Sequence, residues 1–197
     1  MEYESIIIDP AIASILKSGG VGILPTDTLY GLVASAFDEK AAEMIYKLRK
    51  RTPDKPMIIL ISSFEDLKTF NIELSSAQLE TVGKIWPGKV SIVFACNSEK
   101  YSYLHRGKNT LAFRLPQEKW LRELLIKSGP LVAPSANFEG EKPARTISEA
   151  KKYFAESVDF YVDFGKLDSK PSTIVKFENG ELKILREGAI KFPKTKF

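Results

Sequence analysis

GGVGILPTDTLYGLVASAFDEKAAEMIYKLRKRTPDKP, residues 19–56, holds the pattern from which the rest of the chain is read. A glycine pair breaks the chain, Val21 to Leu24 is a short apolar run, and Pro25-Thr26-Asp27-Thr28 turns it. Such a run, bounded by turn residues, reads as a buried strand. A helical segment is expected after the turn, with Asp38 as cap and Ala42, Ile45 and Leu48 as its apolar stripe. Pro53 disfavours a helical Thr52, so this helix stops by about Arg51. Five cations fall at its end: Lys47, Arg49, Lys50, Arg51 and Lys55. Residues two apart on a helix point about 200° away from each other. Arg49 and Arg51 therefore reach one ligand together only if the helix unwinds between them. A polar turn at a strand end, followed by a basic cluster, suits an anionic small molecule.

Outward from this stretch, the 197 residues predict a single domain spanning 1–197, and 44% hydrophobic content supplies a core. No apolar run reaches the roughly 18 residues that cross a membrane. MEYESIIIDP has no basic region before its apolar run, so it does not read as a signal peptide. Cys96 is the sole cysteine, which excludes an internal disulfide and points to a cytoplasmic protein. It lies in VSIVFAC and reads as a core residue. The single histidine, His105, is read as a loop residue; one Cys and one His cannot build a zinc site of the usual kind. A Ser-His-Asp hydrolase has no support, since no nucleophile elbow is present. The net charge of +4 permits phosphate or nucleic-acid binding without requiring it.

In chain order, Asp9-Pro10 starts a helix that Gly19-Gly20 ends. Met57 to Ile61 reads as a central strand, Ser63 as the cap of a short helix through Phe70, and Ser75 or Ser76 as the cap of another ending at Trp86-Pro87-Gly88. Strands are expected at Val90 to Ala95, Thr110 to Leu115, Leu131 to Ala133 and Phe160 to Val162, with helices at Gln117 to Lys127 and Ile147 to Phe154. Asn179-Gly180 between two apolar runs signals a hairpin. Strands alternating with helices, plus at least one hairpin, predict an α/β fold with a sheet of mixed parallel and antiparallel direction and helices packed on it. Neither G-x-G-x-x-G nor a P-loop is present, so any nucleotide is held another way.

Four polar segments sit where strands end: Pro25 to Thr28 with Tyr30; Arg49, Arg51 and Lys55; Pro134-Ser135-Ala136-Asn137; and the distal set Arg114, Ser172 and Arg186. Each has an ordinary structural explanation as a turn or a solvated helix end. Two arginines inside strands are harder to explain that way, because buried arginines need partners. Together the segments describe a site rich in cations and hydroxyls and poor in general bases. Such a site suits phosphoryl or nucleotidyl transfer by charge neutralisation and alignment. Mg²⁺ would then arrive on the nucleotide's phosphates.

PTDTLYGL, KLRKRTPDKPM, WPGKVSIVF, LAFRLP, PSANFEGEKPARTI, KPSTIV and ILREGAI occur in the order found in the YrdC-like family, and by these seven strings the chain resembles it from about Gly19 to Ile190. The resemblance implies a twisted mixed sheet with a central cleft. It also implies an L-threonylcarbamoyladenylate synthase: L-threonine, bicarbonate or CO₂, and ATP with Mg²⁺ give threonylcarbamoyl-AMP and pyrophosphate. Partner proteins then pass the group to tRNA, and a weak direct tRNA contact is possible. Carried onto this sequence, the resemblance makes Arg49 and Arg51 catalytic. It puts ATP on Arg51, Lys55, Thr110, Ser135, Asn137 and Arg186, and threonine on Thr28, Arg114, Ala133 and Ser172. The chain departs from the family's usual residues at Arg49, Lys55, Leu60, Lys89, Ser91, Glu139 and Ala144. Two other readings remain open at this point. One is a non-catalytic RNA-binding module; the other is carbamoyl transfer of the hydrogenase-maturation type.

Overall fold

The computed structural model describes residues 9–192. Strands β1 (Gly22–Pro25) and β2 (Tyr30–Ser35) form an antiparallel hairpin in which Gly22 faces Val33 and Pro25 faces Tyr30. A strand thus follows the Thr26–Leu29 turn directly, an element the sequence does not announce before the helix capped by Asp38, which forms as expected. All six residues of β2 are buried. A strand covered on both faces loses the polar–apolar alternation that would separate it from a buried helix.

The remaining elements are α1 (Ala11–Lys17), α2 (Glu39–Leu48), β3 (Ile58–Leu60), α3 (Asp66–Thr69), α4 (Ser76–Gly83), β4 (Val90–Ala95), α5 (Ser102–His105), β5 (Thr110–Arg114), α6 (Lys119–Ser128), β6 (Leu131–Val132), α7 (Ile147–Phe154), β7 (Phe160–Tyr161), β8 (Thr173–Glu178) and β9 (Glu181–Arg186). The strands form one sheet in the order β7-β1-β2-β6-β3-β5-β4-β8-β9, with β3 at its centre as the sequence predicts. Pairs β1–β7, β3–β5 and β4–β8 are parallel and the others antiparallel, so the sheet is mixed.

Side-chain chemistry sets most of the boundaries. Asp38 accepts from the Ala41 N–H at 3.0 Å, and Ser75 and Gln78 form a reciprocal capping box. Asn179 and Gly180 have φ of 53° and 83°, the two left-handed residues a tight I′ hairpin requires. Asp9 accepts from the Ala11 N–H at 2.9 Å, which opens α1. Two expectations fail. The start of α3 is held by Asp66, whose carboxylate accepts from the N–H groups of Ser62 and Ser63, and Ser63 is not its cap. His105 is buried in α5 and is not a loop residue, because a short helix forms within the polar segment and packs against α2 and β5. Cys96 is buried, as expected.

Alternation along the strands sends neighbouring residues into two cores. Ile23, Leu32, Ile59 and Val132 face one core with α2, α5 and α7. Leu24, Val33, Leu60 and Leu131 face the other, under α1 and α6. No described residue of β4, β5, β8 or β9 belongs to that second core. Leu60 lies beside Arg114 in the parallel β3–β5 pair, so Arg114 emerges on this face where helical cover stops. Ile174 and Arg186 oppose each other farther along the sheet. The cleft forms there.

Candidate active site

The end of α2 decides how its arginines are presented. Lys50 takes φ 49°, the Lys50 N–H donates to Lys47 O at 3.1 Å, and the Arg51 N–H donates to Tyr46 O at 2.9 Å. These two bonds make a Schellman stop, with lysine where glycine is usual. The reversal after Leu48 is the unwinding that Arg49 and Arg51 need, and both side chains line the same cleft.

Arg49 is buried. Its Nε donates to Asn137 O at 3.0 Å, and its Nη2 lies 3.4 Å from Asn137 Oδ1 and 3.5 Å from Ser135 Oγ. Burial, then the neighbouring Arg51, lowers its pKa to about 10, so it remains a cation at neutral pH. Asn137 spends its side chain internally. Its Oδ1 accepts from Ser135 Oγ at 2.6 Å, and its Nδ2 donates to Phe138 O and Glu141 O. Arg51 is anchored by Nε to Lys55 O at 3.0 Å and by Nη2 to Pro56 O at 2.9 Å.

The Thr26–Leu29 turn is closed by Thr26, whose hydroxyl donates to Leu29 O at 2.8 Å. Its oxygen lies 3.0 Å from Thr28 Oγ1. Because Thr26 has a single hydroxyl proton, Thr28 is the donor in that pair, and its own oxygen keeps acceptor capacity at the cleft. Behind the turn, Arg114 Nη2 lies 3.2 Å from Asp27 Oδ1, with both side chains buried. The contact is an ion pair without an aligned hydrogen bond, and Arg114 Nε has no hydrogen-bond partner among the described residues. On the far wall, a bulge interrupts the β8–β9 register between Ile174 and Val175. Arg186 then donates through Nη2 to Ser172 O at 2.8 Å, and Ser172 Oγ lies 2.9 Å from Ser91 Oγ. Burial, then Arg114, lowers the pKa of Arg186.

One cleft of about 700 Å³, open mouth included, is lined by Thr28, Arg49, Arg51 and Arg114, and also by Ala133, Ser135, Ser172 and Arg186. No Asp, Glu or His is among its described lining residues. Three residues singled out from the sequence do not reach it. Asn137 lies behind Ser135 and Arg49 and acts through them. Lys55 turns its ammonium to Glu139. Thr110 opens β5, about 13 Å along the strand from Arg114. Sequence reasoning missed the Asp27 and Ser91 contacts. Asp27 lies inside a motif it had marked, but nothing local says that this carboxylate turns away from the cleft.

The family model for Sua5, YciO and YrdC proteins, described as "Telomere recombination", matches residues 14–188. The chain belongs to this family. Among its fellow members, a putative threonylcarbamoyl-AMP synthase of Methanocaldococcus jannaschii is 33% identical over 180 residues, covering 91% of this chain and 84% of the relative. A threonylcarbamoyl-AMP synthase of Klebsiella pneumoniae is 33% identical over 147 residues, covering 73% of this chain and 77% of the relative. The crystal structure of Pyrococcus abyssi Sua5 complexed with L-threonine superposes with a TM-score of 0.84 at 29% identity over 91% of this chain. This Sua5/YciO/YrdC chain spans about half of that protein, 53% of its length.

Proposed function

We propose that this chain is a threonylcarbamoyl-AMP synthase, joining L-threonine, bicarbonate or CO₂, and MgATP with release of pyrophosphate. The observation that carries the reading is the convergence of four arginines and the hydroxyls of Thr28, Ser135 and Ser172 on one cleft with no carboxylate among its described lining residues. The threonine amine captures CO₂ as a carbamate. A carbamate oxygen attacks the α-phosphorus, a new O–P bond forms, and the bond to the β-phosphate oxygen breaks to release pyrophosphate. Carbamate formation releases the amine's protons to solvent. The two species that then meet, N-carboxylated threonine and MgATP, are both anions, so the transfer step needs fixed cations and alignment more than a proton acceptor.

Within this reading, Arg114 takes the threonine carboxylate, while Thr28 and Ser172 take its polar groups against the wall at Ala133. Arg51, Arg186 and Ser135 hold the phosphates and nucleotide. Arg49, fixed by Asn137, neutralises charge that develops at the reacting phosphate. The magnesium ion enters as part of the substrate, since the lining residues offer it no carboxylate. The labile product goes to a partner that modifies tRNA. Pyrophosphate release by the purified protein should require ATP, magnesium, bicarbonate and threonine together. Release without threonine, or equal release with other amino acids, would overturn the assignment.

A further inference from the structure

Two loops border the cleft beside Arg51, residues 49–56 and residues 135–141, and one side chain ties them together. Glu139 Oε2 accepts from the Thr52 N–H at 2.6 Å and from Thr52 Oγ1 at 2.8 Å, and its Oε1 accepts from Lys55 Nζ. The Glu139 N–H donates back to Arg49 O at 2.8 Å. A backbone N–H, a hydroxyl and an ammonium converging on one anion form the donor set that also grips a phosphate. Arg51 precedes Thr52 and Pro56 follows Lys55, and both line the cleft, so Thr52 and Lys55 sit at its border although their side chains are turned to Glu139 and not into it. Lys55 and Glu139, 84 positions apart in the sequence, are paired in space.

We propose that Thr52 and Lys55 form a nest for the terminal phosphates of ATP, which the Glu139 carboxylate fills in the unliganded protein and which the incoming phosphate takes over. The proposal rests on the synthase reading above and assigns the site a gate. A triphosphate and a carboxylate cannot share the same three donors, so binding of the tail and release of Glu139 are one event. The loops then separate at Thr52 while the Glu139 N–H stays on Arg49 O. The hydrogen bond from Lys55, followed by those from the N–H and hydroxyl of Thr52, holds the Glu139 pKa at about 2. The gate therefore answers to competing anions and not to protons near neutrality. AMP has no terminal phosphates to present and leaves the gate closed.

Calorimetric titration of MgATP, inorganic pyrophosphate and AMP into the wild type, Glu139→Gln, Glu139→Ala and the double variant Lys55→Ala/Glu139→Ala tests this directly. Removing the internal anion should tighten MgATP and pyrophosphate about three- to tenfold, as expected for release of a partly exposed charge contact. AMP should change less than twofold, and the added Lys55→Ala substitution should erase the gain. Glu139→Gln keeps the side chain's shape, so it reports on charge even if Glu139→Ala loosens the loop. Unchanged or weaker MgATP binding in Glu139→Gln, or an equal gain for AMP, overturns the proposal. Titrations require no turnover. A wild type that binds MgATP without threonine-dependent pyrophosphate release sinks the synthase reading and leaves the nest to be judged by affinity.

Discussion

Arg51 and Arg114 are both cleft arginines, yet their surroundings predict opposite responses to removal. Arg51 is partly exposed and rests on the carbonyls of Lys55 and Pro56, so no buried group is orphaned without it. Arg51→Ala should lower kcat/KM for pyrophosphate release by about 10²–10³-fold. Stability should change by less than about 0.5 kcal/mol. Wild-type turnover in that variant would remove Arg51 from the chemistry. Arg114 is paired with a carboxylate whose side chain is 0% exposed. Arg114→Ala strands Asp27 as a buried charge and should cost about 3 kcal/mol, roughly 6–12 °C in Tm. Adding Asp27→Asn should restore much of that stability without restoring threonine affinity. Only a separation of this kind tells ligand recognition from scaffolding. Thermal melts beside the threonine KM check it, and a wild-type Tm in the single variant would refute the buried pair.

At the scale of single elements, the stop of α2 is the feature on which the presentation of Arg49 and Arg51 to the cleft depends. Lys50 adopts a left-handed conformation that costs a lysine about 1 kcal/mol or more. Its Nζ lies 4.1 Å from the Phe138 ring centroid, a contact worth roughly 0.5–1 kcal/mol at an exposed site. Lys50→Ala loses the contact and keeps the strain, whereas Lys50→Gly loses the contact and relieves it. The glycine variant should be more stable than the alanine variant by about 1 kcal/mol in denaturant titration, with both close to wild type in activity. Equal stabilities would mean that the left-handed turn carries no strain. This stop was legible in the sequence because Pro53 disfavours continuation, just as Asp38, the Ser75-Ser76 pair and Asn179-Gly180 announced their own boundaries. What could not be read was β2, whose uniform burial erases its period, and the aim of side chains within marked motifs. Thr28 and Ser135 turn into the cleft, while Lys55 and Asp27 turn to protein partners many residues away, and Asn137 turns to its own loop and to Arg49. Local pattern sets where a strand ends. The partner across the fold sets where its side chain points.

For the molecule as a whole, the cleft joins parts of unequal support. Its near wall is built from β3, β6 and the hairpin turn, which lie inside the sheet between two cores. Its far wall ends on β9, which among the described residues is an edge strand paired with β8 alone and is exposed at Ile184 and Leu185. Fraying of β9 carries Arg186 out of the cleft, so ligand bound across both walls must oppose that fraying. The opposite edge, β7, supplies no described cleft residue, so its fraying carries no lining side chain away. Hydrogen exchange at the two edges therefore distinguishes a ligand that spans the cleft from one that rests on the near wall. With MgATP and threonine each near 100 times Kd, openings that abolish binding of MgATP alone are suppressed by up to about 100-fold. Amides of Glu181 to Arg186 should slow by tenfold or more, while those of Asp159 to Val162 should change less than twofold. Arg186→Ala should abolish the difference between the edges, because β9 then frays without losing a ligand contact. If wild-type β9 exchanges at the same rate with and without ligand, Arg186 is a structural arginine, and the cleft works with three cations in place of four.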